Sequence, residues 1–227
     1  MFSSKVPCQF YNNVAKHIEV LASDAFQGRG PLTEGEQLTI NYLAEQYQAM
    51  GLLGANPNNG QSSPLGRYFQ AVPMAKITPN QDMTLKIGDL SFASGSDFTA
   101  RTEQINSQIT LNDSALVFVG YGINAPEYQW NDYADIDVSG KTVIVLVNDP
   151  GFATQDAKLF TGNAMTYYGR WTYKYEEAAR QGAKAVLIVH ETAAAAYPWS
   201  VVESSNTGSK YTLVDGQQNK SKLPIMG

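Results

Sequence analysis

Thr142-Val-Ile-Val-Leu-Val147, then Trp171 to Gln181, then Ala183-Lys-Ala-Val-Leu-Ile-Val189 is the stretch that decides the fold class. The first and third segments are short, β-branched and continuously apolar, which marks strands buried in a sheet. The middle segment has the length and spacing of a helix. Strand, crossover, helix and strand make a βαβ unit, which requires the two strands to be parallel.

The whole chain has 227 residues, enough for one large domain or one and a half ordinary ones. Hydrophobic residues make up 43%, which supplies a real core, while charged residues are only 16%. The net charge is −5 with no Lys/Arg run, which argues against a nucleic-acid partner. One cysteine, Cys8, permits no internal disulfide and reads as an ordinary surface or half-buried thiol. No apolar run is long enough to span a membrane as a helix, and the first residues lack the apolar core of a signal peptide.

Upstream, residues 12–23 carry Val14, Ile18 and Leu21 on one helical stripe. Gln27-Gly-Arg-Gly-Pro31 is a loop, and Thr33 with Glu36 fits a capping box. Ile40, Leu43, Ala44, Tyr47 and Met50 form the apolar face of a second helix, closed by Gly51. From Leu53 to Gly66 the composition is that of a loop. Beyond it the pattern turns to strands: Tyr68–Val72, a hairpin of Met83–Ile87 and Asp89–Phe92 about Gly88, Ile105–Leu111, Ser114–Val119, and Tyr211–Val214 after the βαβ unit. The chain therefore divides into residues 1–66, with two amphipathic helices, and 67–227, rich in strands. The helices find no apolar surface within 1–66 to cover them, which leaves self-association through that region open.

Few residues read as chemistry. His17, His190 and Cys8 are scattered, without the spacing of a zinc site. His190 with Glu191 sits at a strand end and reads as a structural terminus. Asp132, Asp135 and Asp137 lack the calcium-loop pattern and read as loop caps. Gly28-Arg-Gly30 and Gly120-Tyr-Gly122 lack the context of a phosphate loop, and no G-x-S-x-G elbow is present. No residue is thus assigned as catalytic or as a metal ligand. The aromatic run Tyr167–Tyr175 is the best contact surface. Tyr168, Trp171 and Tyr175 share the helical face expected to pack on the sheet, while Tyr167, Arg170 and Tyr173 are expected to point away. Of these, Tyr167, Arg170, Trp171 and Tyr173 are the candidates for touching a peptide, a sugar or a neighbouring domain. Asn112-Asp-Ser114 and Asn219-Lys-Ser221 have the form of glycosylation sequons.

His17-Ile-Glu-Val-Leu-Ala-Ser-Asp24, Gly28-Arg29-Gly30, Thr33-Glu34-Gly35, Tyr42-Leu-Ala and Gly51-Leu52 resemble the opening of bacterial di-zinc aminopeptidases. These are secreted or periplasmic enzymes of the glutamate carboxypeptidase and transferrin receptor superfamily. Val119-Gly-Tyr-Gly122, Asp132-Tyr133, Asp137, Gly140-Lys141, Tyr167–Tyr175 and Gly182–His190 resemble the protease-associated (PA) domain inserted in them. The resemblance implies an α+β chain: a PA-type β-rich domain preceded by two helices of an incomplete α/β peptidase domain. It implies zinc for the complete enzyme. No position here matches a metal-ligand motif, so the chain itself is expected to carry no cofactor and to be inactive alone. Its expected partners are the missing catalytic portion and a peptide substrate, with the PA domain controlling access or mediating protein contact. A free-standing PA-like module binding a protein or glycan is the competing reading, and a non-catalytic scaffold like the receptor relatives is a third.

Overall fold

The computed structural model describes residues 8–56, 64–214 and 223–227. The sequon at Asn219, the loop reading over 57–63, the first residues and the Cys8 side chain fall outside that description. The chain is of mixed helix and strand and separates into two compact units, Met1–Val72 and Pro73–Gly227.

In the first unit, α1 spans Cys8–Leu21 and α2 spans Glu34–Ala49, joined through a 3-10 segment at Asp24–Arg29. Thr33 occupies the N-cap of α2, but the expected capping box does not form. The Thr33 hydroxyl donates to the Gly30 carbonyl at 2.6 Å, and the Glu36 carboxylate accepts from the backbone N–H of Leu32. Each side chain is drawn one step toward the preceding turn, so the reciprocal pair is lost. The C-terminus follows its glycine: Gly51 has φ +77°, its N–H bonds to Gln48 O, and Leu52 N–H bonds to Tyr47 O. That pair of bonds is a Schellman closure. The expected strand at Tyr68–Val72 is absent. Pro64–Tyr68 is a 3-10 turn, held back on the helical unit by Asn56 Nδ2 donating to Phe69 O (2.8 Å) and Tyr68 O–H to Leu52 O (2.5 Å). The helices bury little. Only Gly35 and Ala44 of α2 are buried, whereas Ile18 is 61% and Met50 64% exposed.

The second unit contains β1 (Met74–Ile77), β2 (Thr84–Ile87), β3 (Leu90–Ala93), β4 (Leu116–Phe118), β5 (Asn124–Ala125), β6 (Trp130–Asn131) and β7 (Thr142–Leu146). There follow α3 (Pro150–Thr154), α4 (Trp171–Arg180), β8 (Ala185–Val189), α5 (Thr192–Ala195), α6 (Trp199–Asn206), β9 (Lys210–Leu213) and β10 (Ile225–Met226). Its centre is a four-stranded sheet of order β10-β8-β7-β4, in which every neighbouring pair is parallel. The βαβ unit is therefore present as read. Strands β2 and β3 pair about Gly88, again as read, and β1 pairs antiparallel with β9. The expected strand at Ile105–Leu111 does not form. Polar side chains close local turns there, with Gln104 N–H bonding Thr102 Oγ1 at 3.0 Å.

Val143, Val145 and Val186 lie on one face of this sheet and are fully buried against Val138, Tyr133 and Ala178 of α4. The other face opens toward the strand ends, where Phe118 is 60% and Val189 46% exposed. A second cluster forms beside it from Ile123, Ala125, Phe160 and Tyr173.

Candidate functional site

The C-terminal ends of β4, β7 and β8 converge, which is where parallel α/β sheets offer a crevice. Beyond β4 the chain turns through Gly120-Tyr121-Gly122, with φ +56° and +62° at the two glycines. At Gly122 an added Cβ would stand 2.6 Å from Val145 Cγ1, so only glycine lets the turn lie on β7. Beyond β7 the chain passes Asn148, Asp149 and Pro150. Asp149 caps α3: its Oδ1 accepts from Gly151 N–H at 3.1 Å, and Pro150 occupies the first helical position, where a missing N–H costs nothing. Its other oxygen accepts from the Thr166 N–H (2.9 Å) and hydroxyl (2.7 Å). Asp149 is completely buried, and these three donors replace its water.

Lys174 of α4 enters the same space and is likewise fully buried. Its Nζ donates to the carbonyls of Tyr121 (2.6 Å) and Asn148 (2.7 Å), fastening the two strand-end turns to each other and to α4. Burial pulls the amine down to about 7, and the nearby carboxylates of Asp132 and Asp149 oppose that fall. Asp132 accepts from Ile123 N–H (3.0 Å) and Trp130 Nε1 (2.9 Å), and desolvation holds its pKa above the usual carboxylate value. It therefore faces inward at the sheet end, while Asp137 caps its own turn through Ser139 N–H and Lys141, as a loop cap should. Lys174 has no exposed surface from which to attack a substrate. Its geometry is that of a clamp.

A cavity of about 200 Å³ lies against this clamp, bounded by β7, α3, the end of β8 and α5, with Tyr121 and Glu191 on its wall. The Tyr121 phenol is pushed up by partial burial, then by the carboxylates of Asp149, Glu191 and Asp132.

The aromatic run divides differently from its helical reading. Tyr167 (52% exposed) donates to Glu176 at 2.6 Å, and Arg170 is exposed. Trp171 is 43% exposed, with the Arg101 guanidinium 5.3 Å from its ring centre. Tyr173, expected to point outward, is instead buried at 4% exposure, its hydroxyl bonded to both the N–H (3.1 Å) and the carbonyl (3.0 Å) of Asn124. Trp171, Tyr173 and Tyr175 belong to one helix, and Tyr173 is buried because the second cluster, Ile123, Ala125 and Phe160, covers its side of α4. Tyr168 precedes the helix in the 3-10 turn Tyr167–Gly169, so helical spacing does not extend to it.

His17 bonds the Tyr42 hydroxyl at 2.6 Å. His190 lies between the rings of Tyr197 and Trp199, and its Nε2 is buried without a hydrogen-bond partner among the described residues. No group of three or more His, Cys, Asp or Glu suited to a metal ion occurs among the described residues. Lys174 and Asp149 escaped the sequence reading. The Asp-Pro-Gly step after a strand was the available signal for Asp149; Lys174 looked like any charge among aromatics.

No family model matches the chain, and neither a curated protein nor a solved structure matches it.

Proposed function

We propose that the chain is the front portion of a secreted or periplasmic zinc-dependent aminopeptidase of the glutamate carboxypeptidase and transferrin receptor type. In this reading residues 67–227 form the PA-type domain with its connecting strands, which controls substrate access or mediates protein contact. The helices of the first unit belong to the peptidase fold. The observation that carries the proposal is the open apolar face of those helices: Ile18, Tyr47 and Met50 sit at core-facing spacing yet remain 61%, 45% and 64% exposed. Each such side chain gains about 1.5–3 kcal/mol when covered, which a catalytic sheet would supply. Zinc chemistry would reside in that catalytic portion. Among the described residues no group fits a zinc site: His17 is engaged by Tyr42, and His190 packs against the rings of Tyr197 and Trp199.

The test has two arms. The coding region around these residues should specify a His-x-Asp and a Glu-Glu pair, and that longer product should hydrolyse leucine p-nitroanilide in the presence of zinc. The 227-residue chain should not. Hydrolysis by this chain alone overturns the reading. The exposed Tyr167, Arg170 and Trp171 favour the second reading, a binding module for a protein or glycan. A coding region with no such pairs selects it.

A further inference from the structure

The cavity beside the Lys174 clamp has a wall of one character and a rim of another. Leu146, Val147, Phe152 and Val189 make the wall apolar, and the polar side chains on it are those of Tyr121 and Glu191. Glu191 is exposed and makes no side-chain hydrogen bond or ion pair among the described residues. It is the charged group on the lining. The Lys174 ammonium lies 5.8 Å from the centre of the Tyr121 ring, and the Asp132 and Asp149 carboxylates act on both the phenol and the amine. Three carboxylates, Glu191, Asp132 and Asp149, against the one Lys174 amine leave the surroundings of Tyr121 net negative, so a cation is attracted and an anion would meet like charge. At about 30 Å³ per water, the volume of about 200 Å³ has room for a compact body of a few heavy atoms.

We propose that this cavity binds a small aliphatic primary ammonium group, its nitrogen held by the Glu191 carboxylate and its alkyl body against Leu146, Val147, Phe152 and Val189. Lys174 is the positioning residue, since its bond to the Tyr121 carbonyl fixes the ring that forms one wall. The site stands independently of the peptidase reading, because each of its residues lies in the second unit.

The experiment is a methyl-resolved NMR titration of the full chain at pH 7 with three probes of one shape: isoamylamine, isoamyl alcohol and isovalerate. The amine should shift the methyl signals of Leu146, Val147, Val189 and Ala194 with a Kd on the order of millimolar, as suits so small a ligand. The alcohol should bind about fivefold to tenfold more weakly and isovalerate more weakly still. Glu191→Gln should bring the amine down to the affinity of the alcohol and leave the alcohol unchanged. Ala153→Trp, at an exposed position on the lining, should abolish both while preserving the methyl spectrum elsewhere. Equal binding of amine and alcohol overturns the proposal. So does an amine affinity unmoved by Glu191→Gln, shifts that persist in Ala153→Trp, or no shift at tens of millimolar amine.

Discussion

Lys174 concentrates the physics of the second unit in one side chain. A buried ammonium is tolerated because it donates to two carbonyls and faces two carboxylates, and the cost of its burial appears as the depressed pKa. Lys174→Met leaves the Tyr121 and Asn148 carbonyls without their donor. The expected loss is about 2–4 kcal/mol at pH 7, read from urea unfolding. The pH dependence has a definite sign. The native amine releases its proton near pH 7, while the unfolded amine keeps it until about 10.4. Above pH 7 the unfolded chain therefore binds the extra proton, and this group's contribution to stability rises with pH; below pH 7 its penalty is fully present. Between pH 7 and 9 the wild type should gain stability that Lys174→Met does not, widening the gap between them. Tyr168 and Tyr175, pushed up to about 12, act in the opposite sense only as pH approaches 10, so the window is clear of them. A gap that narrows from pH 7 to 9 contradicts the clamp. Asp149→Ala removes the acceptor of three donors in a dry site and should cost about 3 kcal/mol or more, with α3 the first element to lose amide protection.

At the scale of elements, turns decide where strands and helices stop. Gly122 combines φ +62° with contact against Val145, so Gly122→Ala meets both backbone strain and a clash. A loss of about 1–3 kcal/mol is expected in thermal or urea unfolding, with shifted resonances along β7. Gly182 closes α4 as Gly51 closes α2, by the same pair of bonds: Gly182 N–H to Ala179 O and Ala183 N–H to Ala178 O. The closure at Gly51 was legible, because a C′ glycine is a local device that needs no distant partner. The failed strands show the limit of such reading. Tyr68–Val72 and Ile105–Leu111 have strand composition, but strands exist only where another strand offers its ladder. The outward reading of Tyr173 failed for a related reason, since a distant cluster of Ile123, Ala125 and Phe160 covers that side of α4.

For the whole molecule, the two units differ in how well they bury apolar surface. The parallel sheet and α4 enclose a dry valine cluster, whereas α1 and α2 leave Ile18, Tyr47 and Met50 in solvent. Native-state hydrogen exchange should show amides of α1 and α2 opening several kcal/mol more easily than those of β7 and β8. Equal and slow protection in a monomer, checked by sedimentation, contradicts the proposal that these helices await a larger surface. Concentration-dependent association that depends on Ile18 and Met50 would show that a second copy covers the face instead. No helix among the described residues is long and apolar enough to cross a membrane.

The sequence by itself determined the βαβ unit, the hairpin about Gly88, the helix closed by Gly51 and the lack of a metal-ligand spacing. All of these are set by periodicity or by residues adjacent in the chain. Tertiary structure alone decided that Lys174 is buried, that Asp132 faces inward while Asp137 caps a turn, and that Tyr173 belongs to the core. It also decided that a cavity with one free carboxylate forms beside Tyr121. Those properties arise where residues distant in sequence share a low-dielectric space, and no local pattern encodes which charge will be desolvated there.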